Sequence, residues 1–259
     1  MAVWLGMTAH PFLTAGRADL LAHRGASADR PPGNSLGAFR RALEVGCDHI
    51  ETDVQLSADG DVVIFHDETL DEATTGTGRI ADHPWSRLAE LRYRVDGRTT
   101  EDGLLRLDEA LAAFPDACFN IDVKQDAAVE PTVRILRDAG ASERVCIAAF
   151  GWRRLRRLRR ALGGQWCSAC SQPEIAVTRL LSWLRLPTPR WGDVIQVPER
   201  RGRVRIVDER FVSTCHRAGM QVHVWTVDDL DTARRLRAAG IDAVITDDPA
   251  GLADWRREA

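Results

Sequence analysis

Short apolar runs recur along this chain, and several of them end in ionisable residues. LLAHRG closes on His23 and Arg24, HIETDV carries Glu51 and Asp53, VVIFHD reaches His66, and FNIDVK brings Asp122 and Lys124. Side chains alternate faces along a strand, so Glu51 and Asp53 share one face, as do Asp122 and Lys124. Between the runs lie stretches with helical spacing, the first being SLGAFRRALEVG, whose Gly46 suits a C-terminal stop. HIETDVQLS and VVIFHD are separated only by ADGD, too short for a crossover helix, so a local hairpin is expected there. Residues 67–105 read as polar and irregular, and a loop of that length is usually functional or an inserted subregion.

Beyond the insertion the alternation is regular. RLDEALAAF, EPTVRILRDAG, WRRLRRLRRAL, PEIAVTRLLSWLRL, DERFVSTCHRAG and LDTARRLRAAG read as helices. ACFNIDVK, RVCIAAF, QWCSAC, DVIQVP, QVHVWTV and DAVITDDP read as the strands between them. Repeated βα units with apolar strands imply a parallel sheet covered by helices. Nine candidate strands stand where a closed barrel needs eight, and the hairpin-linked pair is where one drops out. A doubly wound sheet competes, but HRGAS takes the place of its usual glycine fingerprint. Residues of catalytic type fall at strand ends throughout, as in a TIM (β/α)8 barrel, which is the expected fold. A single domain over 1–259 follows, with its core at about 21–250 and a small insertion, 67–105, after the third strand.

Composition narrows the class. The net charge is −3, which gives no reason to expect a nucleic-acid partner, and no run approaches a membrane span. The first twenty residues lack the basic patch and continuous apolar stretch of a signal peptide, so a cytoplasmic location is expected. Cys47, Cys118, Cys146, Cys167, Cys170 and Cys215 lie mostly in apolar runs, which suggests reduced thiols; Cys167 and Cys170 form an isolated CxxC best read as strand packing. Of 35 basic residues only Lys124 is a lysine, and it sits in the FNIDVK run. An ammonium is a compact point charge, unlike the planar guanidinium fork.

With these residues in place, the chain resembles the glycerophosphodiester phosphodiesterases from about Leu21 to Pro249. The resemblance rests on HRG, Asn34–Ser35 before the first helix, E-T-D-V-Q-L, V-x-x-H-D, T-x-G-x-G, N-I-D-V-K, W-T-V and I-T-D-D-P, in that order. It implies an acid–base pair in His23 and His66, metal ligands in Glu51, Asp53 and Asp122, phosphate contacts from Arg24 and Lys124, and Trp225 in the substrate pocket. The chain departs from the family pattern in three places. Gly33 stands where a glutamate is usual, Asp122 where the third ligand is often glutamate, and Glu72 where an arginine is frequent.

The implied chemistry is coherent. Three carboxylates without a thiolate favour a hard divalent cation, Mg²⁺ or Ca²⁺. Two imidazoles supply proton transfers near neutral pH, Arg24 can grip phosphate with two N–H groups, and Lys124 adds a point charge. The expected reaction releases an alcohol and sn-glycerol 3-phosphate, with water or the substrate's own 2-hydroxyl as nucleophile. A lysophospholipase D-like hydrolase on lipid phosphodiesters and a non-catalytic phosphate-binding barrel are the alternatives. His10, His83, His216 and His223 receive no role, and His49 is a candidate for a supporting position beside the acids. WRRLRRLRRAL, with Leu155, Leu158 and Leu162 in register, reads as an outer helix with a solvated basic face. The stretch 172–191 reads most simply as a barrel helix packed on the sheet. The competing reading is an apolar patch near the mouth that admits lipid-like alcohols or meets a membrane surface.

Overall fold

Strands buried on both faces need hydrogen bonds from both edges and helices outside, and a closed parallel barrel supplies all of these. The computed structural model describes residues 10–13, 20–27 and 31–258. Most of the segment read for a signal peptide lies outside them.

In chain order the first elements are β1 (Leu20–His23), α1 (Leu36–Glu44), β2 (His49–Leu56) and β3 (Val62–Ile64). Next come α2 (Trp85–Leu88), β4 (Arg92–Val95), β5 (Arg98–Gly103), β6 (Leu105–Arg106), α3 (Leu107–Ala113), β7 (Cys118–Val123) and α4 (Val129–Asp138). Then follow β8 (Val145–Ala148), α5 (Trp152–Leu162), β9 (Cys167–Ser168), α6 (Gln172–Trp183) and β10 (Val194–Pro198). The series ends with β11 (Arg200–Arg201), β12 (Val204–Arg205), α7 (Glu209–Arg217), β13 (Gln221–Trp225), α8 (Leu230–Ala238), β14 (Ala243–Thr246) and α9 (Ala253–Arg257).

Eight strands run parallel in the order β10-β13-β14-β1-β2-β7-β8-β9, and a parallel bridge from Ala169 to Val194 brings the ends together. The fold is a TIM barrel. β3 is the strand that leaves the count: it returns antiparallel on β2 and pairs β6 on its other edge. The main apolar cluster fills the space between sheet and helices, including Phe39, Phe119, Leu155, Leu158 and Leu162. A smaller cluster lies among Phe12, Leu21, Cys146, Cys167, Val194 and Ile245, with alanine and cysteine as its compact members.

Two expectations need correcting. Residues 67–105 are irregular only in part: 67–79 form turns and a single bridge, whereas α2, β4 and β5 follow. Leu70, Ile80, Leu88, Leu91, Tyr93 and Leu104 join Val63 and Phe65 in a cluster of their own, covered by the β4–β5 hairpin. Their spacing follows neither a strand nor a helix period, so no pattern announced it. Nor does α6 pack its apolar face on the sheet. Its buried residues are Thr178, Arg179 and Ser182, while Leu180, Trp183 and Leu184 are 51%, 49% and 58% exposed.

Candidate active site

The register of the barrel assembles the site. β1 sets His23 beside Glu51, β2 sets Glu51 beside Asn120 and Asp53 beside Asp122, and Ala22 faces Thr246 on the closing strand. Side chains of like parity share a face, so His23, Glu51, Asp53 and Asp122 point into one cleft, at the end where the strands give way to their following loops.

The HRG turn has a steric reason for its glycine. Gly25 has φ 86°, and a Cβ there would come within 2.7 Å of the Ala38 backbone on α1. Arg24, with φ 54°, occupies the left-handed region that costs a side-chain-bearing residue free energy. In that conformation its backbone N–H donates to Glu51 Oε2 (3.4 Å) and its carbonyl accepts from Asn34 N–H (2.8 Å). Its Nε lies 3.7 Å from Asp53 Oδ2 yet has no hydrogen-bond acceptor, so a buried donor is left open.

The three acids are buried together. Burial, reinforced by Asp53 and Asp122, holds Glu51 well above the usual carboxylate range. Burial also raises Asp122, although Lys124 opposes the shift. The Lys124 ammonium bridges Asp53 Oδ1 and Asp122 Oδ2, 2.8 Å from each. Burial works against its charge, but the two aspartates outweigh that and raise its pKa. Asp122 Oδ1 accepts no hydrogen bond at all. Among the described residues no three His, Cys, Asp or Glu side chains stand together in an arrangement ready to hold a metal ion. The ammonium fills the gap between two of the acids. The donor set is nonetheless all oxygen, and burial with mutual repulsion raises Glu51 and Asp122, a strain that a hard divalent ion would relieve.

Both histidines are held the same way. His23 Nδ1 lies 2.8 Å from Asp247 Oδ1, and His66 Nδ1 lies 2.7 Å from Asp67 Oδ1. An N–H donated to a carboxylate at Nδ1 leaves Nε2 without that partner and able to face the cleft. His23 Nε2 faces the acids, 3.8 Å from Glu51 Oε2. Its hydrogen bond keeps Asp247 below the usual carboxylate range. His66 follows a strand of only three residues, so its position depends on Gln55. The Gln55 amide donates to the carbonyls of Phe65 (3.2 Å) and Asp67 (2.7 Å), on either side of His66. Gln125 donates to Gln55 Oε1 (3.2 Å) and so fixes the amide.

His23, His66, the three acids, Arg24, Lys124 and Trp225 all line one open cleft of about 840 Å³. Its polar floor continues into an apolar wall formed by Phe150, Ile175, Trp183 and Ile206. Phe150 lies against Lys124, with the ammonium 5.3 Å from the ring centre. Every residue expected at the site thus reaches the cleft. His49 does not: it begins β2 and bonds Asp48 and the Phe12 carbonyl. His83 bonds Thr77 O, His216 pairs with Asp242, and His223 is buried against Gln221.

Three contributors escaped the sequence reading. Asp247 lies in I-T-D-D-P, and its adjacency to β1 follows only from barrel closure. Asn34 has φ 63°, donates to Asp53 Oδ2 (3.2 Å) and accepts from Thr52 (2.7 Å), while Tyr93 of the insertion donates to its carbonyl. Gln55 was visible only as a letter in E-T-D-V-Q-L. Of the three departures from the family pattern, Glu72 is exposed and lies outside the cleft lining. Gly33 packs so close that a Cβ would meet Arg24 Cβ at 3.1 Å. Asp122 keeps its carboxylate within the cleft.

Comparison with known proteins identifies the family. The profile of the Glycerophosphoryl diester phosphodiesterase family matches residues 23–251. A probable glycerophosphodiester phosphodiesterase 2 of Mycobacterium tuberculosis is 34% identical over 244 residues, covering 91% of this chain and 89% of that protein. A glycerophosphodiester phosphodiesterase of Caldanaerobacter subterraneus is 29% identical, covering 92% and 98%. Among solved structures, an Oleispira antarctica phosphodiesterase in complex with the product sn-glycerol-3-phosphate superposes with TM-score 0.77 at 24% identity, covering 93% of this chain and 97% of its own. The chain belongs to the glycerophosphoryl diester phosphodiesterase family, and with it to the phosphoric diester hydrolases.

Proposed function

We propose that the protein hydrolyses glycerophosphodiesters to an alcohol and sn-glycerol 3-phosphate, using His23 and His66 as acid and base. The observation that carries this is a matched pair of unpartnered groups in one cleft. Arg24 Nε is a buried donor without an acceptor, and Asp122 Oδ1 is a buried acceptor without a donor. An anionic phosphate accompanied by a cation would satisfy both. Glu51, Asp53 and Asp122 would hold Mg²⁺ or Ca²⁺, which supplies charge neutralisation at the phosphoryl group. Arg24 and Lys124 grip the phosphate oxygens, and Trp225 closes the side of the pocket.

The nucleophile is read as the substrate's own 2-hydroxyl. One imidazole Nε2 removes its proton as the new P–O bond forms. The other, protonated, gives a proton to the departing alkoxide as the old P–O bond breaks. A cyclic phosphate and a free alcohol result, and water then opens the ring with the proton roles exchanged. Five of the six cysteines are buried and none is bonded to another, which supports a reducing, cytoplasmic setting. Among the described residues no helix is long and apolar enough to cross a membrane.

The test is turnover of glycerophosphocholine with and without chelator. His23→Ala and His66→Ala should each lower kcat by about 10²–10⁴-fold while circular dichroism stays unchanged, and activity lost to chelator should return with Mg²⁺ or Ca²⁺. Full turnover in either variant, or indifference to chelator, rejects the corresponding part of the scheme. A diester lacking the 2-hydroxyl should be inert, and its hydrolysis at a normal rate would exclude the cyclic route.

A further inference from the structure

The large apolar side chains exposed among the described residues are not scattered. Phe150 and Trp152 follow β8, Val177, Leu180, Trp183, Leu184 and Leu186 follow β9, and Val204 follows β10. These three strands are neighbours in the barrel wall, so the three segments share one sector of its rim. Phe150 and Trp183 line the cleft itself, and the patch continues outward from its mouth.

α6 explains why the patch exists. At 100° per residue, Val177, Leu180 and Leu184 stand on one side of the helix and Thr178 and Ser182 on the other. Apart from Ile175, which packs on the main apolar cluster, the helix is held by polar contacts. Arg179 is buried, hydrogen-bonds both carboxylate oxygens of Asp208 (3.2 and 2.6 Å) and lies 4.7 Å from the Trp183 ring centre. A helix that turns hydroxyls inward and leucines outward has been spared its usual burial for some purpose.

The flanks are basic. Between Arg179 and Arg210 the chain carries eight arginines against four carboxylates. The β11–β12 hairpin has the sequence RRGRVR, with all four arginines exposed. Arg205 lies 3.8 Å from Glu199, whereas Arg201 and Arg203 make no ion pair among the described residues. Leucine and tryptophan rimmed by arginine is the composition of an interfacial membrane contact.

We propose that this sector, α6 with its C-terminal extension and the β11–β12 hairpin, docks the protein on an anionic lipid surface with the cleft mouth facing the bilayer. The charge favours this occupant over a second copy of the chain. A symmetric contact uses the same patch twice and would bring the arginine rim against itself. Anionic headgroups instead attract each arginine near the surface, by an amount that salt weakens. Docking would operate whether or not the cleft hydrolyses glycerophosphodiesters.

Flotation with phosphatidylglycerol–phosphatidylcholine vesicles and with phosphatidylcholine alone tests the proposal on the full chain. Binding is expected to the anionic vesicles, weakening as salt rises. Leu180→Ser/Leu184→Ser, which alters only exposed side chains outside the cleft lining, should weaken it by about tenfold or more. Arg203→Glu should weaken it by roughly tenfold at low salt. Circular dichroism and melting should match the unmodified protein in both variants. Equal binding to the two vesicle types, binding that neither variant changes, or no binding would overturn the proposal. So would a concentration-dependent dimer that Leu180→Ser/Leu184→Ser abolishes without any vesicle binding.

Discussion

Asp247 defines what one residue can do without touching substrate. It binds His23 Nδ1 and leaves Nε2 free for the proton transfer proposed above. Asp228 in turn accepts from the Asp247 backbone N–H (2.8 Å) and from the Thr246 hydroxyl, so the aspartate is itself held in place. Asp247→Asn should keep the shape, remove the charge and permit the wrong tautomer of His23. We expect kcat for glycerophosphocholine to fall by about 10²–10⁴-fold with KM changed far less. Unaltered kcat would show that His23 needs no orienting partner. The ionisable residues of the cleft were legible because strand alternation and strand ends can be read from a string. Asp247, Asn34 and Gln55 were not, since each acts through a partner fixed by closure, a left-handed turn or an amide bridge. Those geometries have no local period.

At the scale of elements, α6 and α7 meet through charge. Arg179 is buried between the Trp183 and Phe211 rings, 4.7 and 5.6 Å from their centres, and is paired with Asp208. Asp208 also caps the N-terminus of α7, where its Oδ1 accepts from Phe211 N–H (2.8 Å). Burial tends to raise its pKa, but Arg179 and the cap bond prevail and hold it below the usual carboxylate range. The two roles separate by substitution. Asp208→Asn keeps an acceptor for the cap and removes the counter-charge, whereas Asp208→Ala removes both. Stranding a buried guanidinium costs about 3–5 kcal/mol, and losing the cap adds about 1 kcal/mol. Urea unfolding should therefore rank the native protein above Asp208→Asn and that above Asp208→Ala. Equal midpoints for the two variants would show that the cap contributes nothing. The same contact explains why the apolar residues of α6 lie outside rather than on the sheet. Its leucines suggested a packed stripe, but nothing in the spacing of PEIAVTRLLSWLRL reveals that an arginine holds the helix.

Across the whole molecule, the barrel was readable because eight of its strands are apolar and each returns through a helix. The ninth declared itself by a connection too short to cross over. Closure also buries groups that sequence places without comment. His223, on β13, is wholly buried, bonds Gln221 Oε1 through Nε2 (3.1 Å) and leaves Nδ1 without a partner. Burial lowers its pKa from 6.5 to about 4; Asp242 pulls the other way, and His49 adds to the depression. Above pH 6.5 the imidazole is neutral in both folded and unfolded chains, so its pKa shift has no effect on stability there. Below pH 6.5 the unfolded chain takes up a proton that the folded chain refuses, and stability is lost as pH falls towards about 4. The slope approaches about 1.4 kcal/mol per pH unit for this one group. His223→Phe removes the titration while keeping an aromatic ring in the space. The stability difference between native protein and variant, from urea unfolding at a series of pH values, should be constant above pH 6.5. Below it, the native protein should lose ground to the variant at close to that slope. Parallel curves throughout the range would mean that His223 takes up its proton as readily inside the barrel as outside it.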